Sequence, residues 1–406
     1  MNKKISEKLI HVANGRQKAD LVLKNAGIVN VFTEDIEIGD VAVVDGMIAG
    51  IGTYEGMVEK DMTGKYLCPG FIDGHIHLES SMVAPAEFEK AVLPHGTTAV
   101  ITDPHEIANV AGCEGIEFML RYTQDMTLDV FFVVPSCVPS TGLDEAGACL
   151  EAADIEPFYE NDRVIGLAEM MNSFGVNQAD PAILDKINVT LEHQKIIDGH
   201  APLLSGQELN GYVAAGIRSD HECSNVREAK EKFARGQWIM VREGTAAHNL
   251  EALLPLFEAP YAQRIMLVTD DKHPCDLLRD GHIDAIVRKA VQKGVDPVKA
   301  IKAGTYNAAS YFGLVNQGAI APGYCADIAV LDSLTELNVL EVYKDGVLAA
   351  ENGKSLVKSS VPEMGQEIQE RVYHSFHVDP VNVSQLAMEK KGERIRVIDL
   401  NAHELL

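Results

Sequence analysis

The chain has 406 residues, 46% of them hydrophobic and 23% charged, and its formal net charge at pH 7 is −25. This length accommodates two or three domains with sizeable cores. The negative charge argues against nucleic acid or an anionic membrane as a partner, because both would repel an acidic surface. Seven cysteines without a CxxC pair, no apolar N-terminal stretch and no apolar run of about 20 residues predict a cytoplasmic protein with reduced thiols.

The first part of the chain, residues 1–66, is predicted to be half of a small β domain. Short runs rich in Val and Ile alternate with turn residues between about residues 19 and 63. The pair Asp45-Gly46 stands between two of these runs and is a strong hairpin signal. This segment is too short to close a sandwich alone, so it needs strands from elsewhere in the chain.

Strand, loop and helix patterns then alternate across residues 67–313. Eight strand candidates separated by helical patterns over roughly 250 residues match the size and rhythm of a (β/α)8 TIM-like barrel. The first candidate is Leu67–Ile72, and the very short sixth one is centred on Ile217. The other six are Ala99–Thr102, Val130–Val134, Val164–Ala168, Ile196–Asp198, Trp238–Val241 and Ile265–Thr269.

A β pattern returns over residues 314–358, and the simplest topology pairs it with residues 1–66. The predicted fold is therefore an α/β protein whose barrel is inserted into a small β-sandwich domain built from both flanking segments. Residues 359–406 are largely polar and hold one predicted strand, Arg394–Leu400. We expect this tail to be the beginning of a longer element.

Ligand-type residues stand at the predicted carboxyl ends of five barrel strands, where the active sites of this fold lie. His75 and His77 are two positions apart in an extended segment, so their side chains point to the same side. One such residue could simply be a hydrogen-bonded loop position, but five strands ending this way favour a metal site. The candidate ligands are His75, His77, Glu169, His200, His221 and Asp270.

Six nitrogen and oxygen ligands suit two divalent ions better than one. His75, His77 and Asp270 would hold one ion, the histidines of the fifth and sixth strands would hold the other, and Glu169 would bridge them. Such a pair lowers the pKa of a shared water towards ~7 and supplies hydroxide at neutral pH. Asp270 would then take the proton and pass it to a leaving group. Ligation without thiolate permits Zn(II), Mn(II) or Fe(II).

The ligand pattern and the interrupted β domain resemble the amidohydrolase superfamily. Motifs around the strand ends resemble more closely the bacterial-type adenine deaminase family within it, over about residues 19–406. These motifs are HIHLESS at 75–81, TDPHE at 102–106, VPSCVP at 134–139, GLAEMMN at 166–172, DGHAP at 198–202, SDHE at 219–222, VREG at 241–244 and TDDKHP at 269–274.

The resemblance implies hydrolytic deamination of adenine to hypoxanthine and ammonia by a metal-bound hydroxide, in purine salvage or adenine catabolism. It also implies a binuclear centre of Mn(II) or Fe(II), in which Glu169 matches the bridging carboxylate of the family. Members are usually longer, and residues 359–406 resemble only the opening of their C-terminal domain, which is otherwise absent. We expect a homo-oligomer, with a dimer as the simplest form.

Polar residues at the barrel rim are candidates for substrate contacts. Glu79 would accept hydrogen bonds from a neutral purine and repel an anionic amide, although a solvated loop carboxylate would look the same. Glu106 and Glu243, beside Asp270, are candidate catalytic acids for protonating the ring. The binding candidates are Glu79, Ser81, Arg242 and Asn172, and supporting roles fall to His105, His248 and His273.

Two alternatives to adenine deamination follow from the same residues. The first is a cyclic-amide hydrolase of the dihydroorotase or hydantoinase kind, against which Glu169 in place of a lysine and Glu79 in place of an arginine both count. The second is a truncated, non-catalytic relative that binds metal and has a structural or interaction role.

Overall fold

The computed structural model describes residues 5–358, 361–375, 377–395 and 397. Its strands are β1 Ala19–Asn30, β2 Asp35–Val44, β3 Met47–Gly52, β4 Gly56–Asp61, β5 Tyr66–Pro69, β6 Phe71–Ile76, β7 Thr97–Thr102, β8 Asp129–Val134, β9 Val164–Met170, β10 Ile196–Gly199, β11 Ser219–Asp220, β12 Trp238–Arg242, β13 Ile265–Val268, β14 Ile328–Leu331, β15 Val339–Lys344, β16 Val347–Glu351 and β17 Lys354–Ser355. Its helices are α1 Glu7–Ala13, α2 Pro85–Val92, α3 His105–Tyr122, α4 Ala152–Ile155, α5 Ser173–Asn177, α6 Pro181–Glu192, α7 Gly206–Ala214, α8 Val226–Ala234, α9 Leu250–Leu253, α10 Pro274–Arg279, α11 Ile283–Gln292, α12 Pro297–Ala303, α13 Tyr306–Phe312 and α14 Gln366–Tyr373.

Strands β6 to β13 are parallel and curl into a barrel. Strands β6 to β10 form one hydrogen-bonded sheet and β11 to β13 form another. The Arg218 N–H donates to the Ile197 carbonyl at 3.0 Å and joins the two sheets at one seam. At the other seam the Asp270 N–H donates to the His75 carbonyl at 2.9 Å. The predicted barrel fold is confirmed.

Successive side chains of the barrel strands belong alternately to two apolar clusters. On β7, Ala99 and Ile101 pack in one cluster, whereas Val100 between them packs in another cluster with Phe88 of α2 and Ile116 of α3. Successive side chains of a strand point to opposite faces, so the first cluster lies inside the barrel and the second lies under the helices. The strand residues of the inner cluster are Ile72, Ala99, Ile101, Val133, Ala168, Met240, Met266 and Val268.

The segments on either side of the barrel share one sheet. Its strand order is β17-β16-β15-β14-β5-β1-β2-β3, with β4 beside β1. Strands β14 and β5 are antiparallel neighbours, with Ile328 opposite Pro69. The predicted hairpin at Asp45-Gly46 is confirmed by the pairing of β2 with β3. Both turn residues have positive φ, 51° and 75°, as a two-residue hairpin turn requires.

Three predicted strands differ from the structure. Residues 67–72 do not form one strand, because Tyr66–Pro69 pairs with β1 and β14, and the first barrel strand starts after Gly70, at Phe71–Ile76. The sixth barrel strand is Ser219–Asp220 rather than a strand at Ile217. In the predicted strand 394–400, residues 394, 395 and 397 are not in a strand, and the remaining positions lie outside the described residues.

The tail contributes one helix to the outside of the barrel. Helix α14 contacts α3, where the Tyr373 and Phe118 rings lie 5.7 Å apart. Ile368 and Val372 of α14 pack against the same cluster that covers the barrel strands. Among the described residues, no helix is both long and apolar enough to cross a membrane.

Candidate metal centre

The structure brings all six predicted ligands together at the carboxyl end of the barrel. His75 belongs to β6, and His77 follows that strand directly. Glu169 lies in β9, and the other three ligands each follow the end of a strand, β10, β11 or β13. Because parallel strands end at the same rim, these side chains converge on one buried region. The ligands after β10, β11 and β13 are His200, His221 and Asp270.

One half of this centre, which we call the β6/β13 half, consists of His75, His77 and Asp270. Asp270 Oδ1 lies 3.1 Å from His77 Nε2 and 3.5 Å from His75 Nε2. The His77 Nδ1 donates to the Asp103 carbonyl at 3.0 Å, which leaves the Nε2 lone pair free for a metal ion. The donor atoms of the three residues lie within 4.8 Å of one another, close enough to share one ion.

The other half, which we call the β10/β11 half, consists of His200 and His221. His200 Nδ1 lies 3.2 Å from His221 Nε2. The His221 ring also stacks on the His75 ring, with centroids 4.4 Å apart, so the two halves are in direct contact. Glu222 Oε1 lies 3.3 Å from His221 Nε2 and adds an oxygen donor to this half.

Glu169 faces both halves with one carboxylate. Its Oε2 lies 2.8 Å from His200 Nδ1 and 3.1 Å from His221 Nε2, while its Oε1 lies 3.5 Å from His77 Nε2. The Ser136 hydroxyl donates to the Glu169 carbonyl at 2.5 Å and fixes the backbone at this point. A carboxylate in this position has the geometry to connect two ions.

The buried donor atoms fit a pair of divalent metal ions. Both ring nitrogens of His75 and Nδ1 of His221 are buried without a hydrogen-bond partner among the described residues. Leaving such polar atoms unsatisfied costs about 1–3 kcal/mol each, which a bound ion would offset at the nitrogens it reaches. Imidazole and carboxylate donors without thiolate suit Mn, Fe or Zn. The donor set is therefore that of a metal centre.

Charge within the cluster keeps its two acidic ligands ionised. Burial acts to raise the pKa of Glu169, but the imidazoles of His200 and His221 outweigh it and hold the pKa well below its usual range. Burial acts in the same way on Asp270, and His75 and His77 lower its pKa further than burial raises it. Ionised carboxylates are the form that binds metal ions.

Two buried side chains hold the acidic ligand of the β6/β13 half. Arg242 donates to Asp270 Oδ2 at 2.7 Å and to Glu222 Oε2 at 2.9 Å, so it joins an acid of each half. Asp73 Oδ1 accepts from the N–H groups of His75 and Thr269, both at 3.2 Å. Asp73 thereby ties β6 to the residue before Asp270.

Two carboxylates beside His77 have unsatisfied oxygens. Glu79 Oε1 accepts from the Ile107 N–H at 3.2 Å, and its Oε2 is buried without a hydrogen-bond partner in the described chain. Glu106 Oε2 lies 3.6 Å from His77 Nδ1 and is likewise buried without a hydrogen bond. Burial, reinforced by the charge of Glu106, raises the pKa of Glu79 to about 8. These oxygens can accept hydrogen bonds from a ligand, or donate one if protonated.

Three more residues lie near the centre, of which His105 was predicted to have a supporting role and Asp103 and Glu222 were given no role. His105 Nδ1 lies 2.8 Å from Asp103 Oδ2 and 3.4 Å from Glu169 Oε1, so its supporting role brings it within reach of the cluster. Burial lowers the pKa of His105, but Asp103 outweighs it and raises that pKa to about 9. The signal for Asp103 and His105 was their place after the second barrel strand. For Glu222 it was the position next to His221.

Four predicted site residues have other partners. Glu243 accepts from Lys289 Nζ at 2.5 Å and from the Leu250 N–H at 3.2 Å, and its predicted catalytic role stays a prediction. The Ser81 hydroxyl donates to the Leu78 carbonyl at 2.6 Å. Asn172 caps α5 by accepting from the Gly175 N–H at 2.7 Å. Arg242, predicted to bind substrate, donates to Asp270 and Glu222, two acids of the cluster.

Comparison with known proteins places this site in a defined family. Residues 66–349 match the amidohydrolase family. The chain is 47% identical over 399 residues to adenine deaminase 2 of Carboxydothermus hydrogenoformans and 46% identical over 400 residues to adenine deaminase of Kosmotoga olearia. Each match covers 98% of this chain and 69% of the relative. The chain therefore spans about two thirds of the length of these relatives.

Solved structures show the same fold at low sequence identity. The β-aspartyl dipeptidase of Fervidobacterium islandicum AW-1 superimposes with a TM-score of 0.62 at 18% identity, covering 83% of this chain and 98% of the dipeptidase. An enamidase of the amidohydrolase superfamily gives 0.60 at 18% identity, with coverages of 83% and 96%. At this level of identity, the comparison shows only that these proteins share their fold with this chain.

Proposed function

The chain belongs to the amidohydrolase family, and we propose that it is a metal-dependent adenine deaminase, which hydrolyses adenine to hypoxanthine and ammonia. The observation that carries this proposal is Glu169, whose two oxygens face the two histidine groups of the centre. The names of relatives 46 to 47% identical over 98% of the chain support the substrate.

Each half of the centre would hold one divalent ion. His75, His77 and Asp270 would hold the first, His200 and His221 the second, and Glu169 would lie between them. Two such ions would act as Lewis acids and lower the pKa of water enough for attack at neutral pH. The donor set suits Mn(II) or Fe(II), and also accepts Zn(II).

Asp270 would move the proton. Its Oδ1 faces His75 and His77, while its Oδ2 is held by the Arg242 guanidinium at 2.7 Å. Because Arg242 holds Oδ2, Oδ1 is the oxygen that would accept a proton from the attacking water. Asp270 can then take the proton of that water and deliver it to the amino group that leaves as ammonia.

Glu79 and Glu106 would recognise the purine ring. Each has a buried oxygen without a hydrogen-bond partner among the described residues, and each lies beside His77. A neutral purine offers N–H groups to carboxylate oxygens and ring nitrogens to a protonated carboxyl. A protonated Glu79 or Glu106 could therefore supply a proton to a ring nitrogen during attack. An anionic amide would be repelled by both residues in their ionised form.

Two further proposals concern organisation. We propose that residues 1–66 and 314–358 form one domain and that residues 67–313 form the barrel. The pairing of β5 with β14 in one sheet supports this division.

We also propose a homodimer in solution, which the molecular mass of the full chain measured by light scattering would test. A monomer at working concentration would refute the dimer.

The test of function is ammonia release from adenine by chain loaded with Mn(II) or Fe(II). Adenosine and a neutral cyclic ureide such as hydantoin serve as comparison substrates in the same preparation. We expect release from adenine, and a loss of more than about 100-fold in Asp270→Asn, which keeps the shape but loses the base. Absence of release from adenine, or faster hydrolysis of the ureide, would overturn the proposal.

A further inference from the structure

A fully buried lysine lies behind the β10/β11 half of the centre. Lys232 of α8 has no exposed surface. Its ammonium donates to the Ala201 carbonyl at 2.6 Å, to Glu228 Oε1 at 2.7 Å and to Asp220 Oδ2 at 3.0 Å. All three of its protons are therefore used, and a buried ammonium persists only when it is paired in this way.

Two of the three partners of Lys232 are next to the histidines in the sequence, and the third, Glu228, lies in the same helix as Lys232. Ala201 follows His200 directly, and Asp220 precedes His221. The Asp220 carboxylate joins the loops a second time, because its Oδ1 accepts from the Ala201 N–H at 2.7 Å. The buried charge pair therefore adds to the other links between these segments, in which the Ser219 hydroxyl donates to Asp198 Oδ1 at 2.7 Å and accepts from the Gly199 N–H at 3.2 Å.

Strand pairing alone is weak at this point of the barrel. Strand β10 has four residues and β11 has two, and the two strands belong to separate hydrogen-bonded sheets. A residue that follows so short a strand has few backbone hydrogen bonds to fix its position. Side chains therefore contribute to the placement of His200 and His221, among them the Tyr212 hydroxyl, which accepts from the His200 N–H at 2.9 Å.

A third metal ion, beside the lysine, is not required by this arrangement. Asp220, Cys223 and Glu228 have donor atoms within 4.8 Å of one another, as a metal site would. The Lys232 ammonium, however, lies 3.0 Å from Asp220 and 2.7 Å from Glu228. The chain's own cation already compensates these carboxylates.

We infer that Lys232 is a positioning residue that fixes His200 and His221, so that the β10/β11 half can hold its metal ion. The inference rests on the proposed two-ion centre and adds a residue that contacts none of the six ligand side chains in the described structure. Removal of the ammonium would release both loops and leave Asp220 as an uncompensated buried charge. The β6/β13 half does not depend on Lys232, since its ligands are held by Asp73 and Arg242.

The experiment is a calorimetric titration of metal-free full-length chain with Mn(II), together with metal analysis of the purified protein. We expect two ions per chain in the unchanged protein. In Lys232→Met we expect one ion to bind about 10- to 100-fold more weakly, the usual cost of losing a group that supports a ligand. Its titration should match that of His200→Ala and differ from that of His75→Ala, which define the loss of each half.

Two further variants serve as a milder change at the same site and as a matched control. Glu228→Gln removes one charge partner of Lys232 without changing shape, and it should weaken the same ion by a smaller factor even if Lys232→Met does not fold. Lys344→Met is the matched control, because Lys344 is also buried and paired with a carboxylate, Asp327 at 3.1 Å, but lies in the flanking sheet. It should lower the free energy of unfolding and leave both ions bound as before.

Three outcomes would overturn the inference. Unchanged binding of both ions in Lys232→Met would do so, or in Glu228→Gln if only that variant folds. An equal weakening of both ions would show general destabilisation rather than positioning. Fewer than two ions in the unchanged chain would refute the two-ion centre itself, and this result is distinguishable because no variant is involved.

Discussion

The two halves of the metal centre are held in place by different means. The β6/β13 half follows strands of six and four residues, and the Asp270 N–H joins their ends by donating to the His75 carbonyl. The β10/β11 half follows strands of four and two residues, and a buried ammonium joins its loops. The difference teaches that a charge pair can substitute for strand pairing where the strands are too short to position ligands.

The largest effect is expected from the residue that serves both halves. Glu169→Gln removes the charge shared by them, so both ions should be weakened and ammonia release should fall by more than about 100-fold, beyond the usual cost of losing a supporting group. Metal analysis and the adenine assay measure the two effects. Glu160→Gln, an exposed carboxylate outside the centre, should change neither. Two tightly bound ions in Glu169→Gln would break the comparison, because the halves would then be independent.

A change confined to the β6/β13 half should weaken the metal ion of that half, as the loss of Lys232 should weaken the ion of the other half. Asp73→Asn keeps the side-chain shape but weakens acceptance from the N–H groups of His75 and Thr269. We expect the ion of this half to bind about 10- to 100-fold more weakly. Mn(II) titration should then give a curve like that of His75→Ala. A curve like that of His200→Ala would contradict the assignment of the halves.

A smaller effect on activity is expected from a change at Arg242, which bonds one acid of each half. Arg242→Lys keeps the positive charge but loses the planar fork that reaches Asp270 and Glu222 together. We expect both ions to remain bound while kcat for adenine falls about 10-fold, because Asp270 is less firmly oriented. Steady-state kinetics on the metal-loaded protein measure this. Loss of one ion with kcat per loaded centre unchanged would assign Arg242 to metal binding instead.

The smallest effect on the centre is expected from a carboxylate in the flanking sheet. Asp40 is buried, and although burial raises its pKa, the Lys24 ammonium at 2.8 Å and two backbone N–H groups lower it further. A depressed pKa in the folded state stabilises the fold above the unfolded pKa, about 3.9, and this stabilisation disappears as pH falls through the folded value.

Asp40→Asn should therefore lower the free energy of unfolding by about 2 kcal/mol at pH 7, the scale of hydrogen bonds to a charged group. The difference from the unchanged chain should shrink below about pH 4. Urea unfolding of the metal-free chain at several pH values measures it. A difference that grows as pH falls would contradict the sign. Metal binding at pH 7 should be unchanged, which separates the sheet from both halves of the centre.

The barrel and its six candidate ligands were predictable from the sequence because both rest on local periodic signals. Apolar runs of strand length recur at regular spacing, and a histidine or acid stands at the end of five of them. Strand ends meet at one rim in this fold, so residues that each follow a strand in the sequence are expected to cluster in space. The hairpin at Asp45-Gly46 was predictable for a similar reason, since two residues determine the turn.

The supporting residues depend on partners distant in the sequence. In the sequence Lys232 has the pattern of an ordinary helix residue, and only the structure shows its contacts with Ala201 and Asp220. Asn172 and Ser81 are polar residues near strand ends, and only the structure shows that their side chains bond to the Gly175 N–H and the Leu78 carbonyl, three residues away in each case. The run 67–72 was predicted as one strand although it contains the turn pair Pro69-Gly70, and in the structure Gly70 separates strands of two different sheets.

The pairing of β5 with β14 also has a consequence for how the chain is made. The two strands are neighbours in the flanking sheet, yet the entire barrel is synthesised between them. On the ribosome, one side of β5 must therefore stay without its partner until Ile328–Leu331 has emerged. An exposed strand edge of this kind is prone to pair with other chains. Slow translation or early termination within the barrel should thus favour aggregation, and chaperone demand should be highest during that interval.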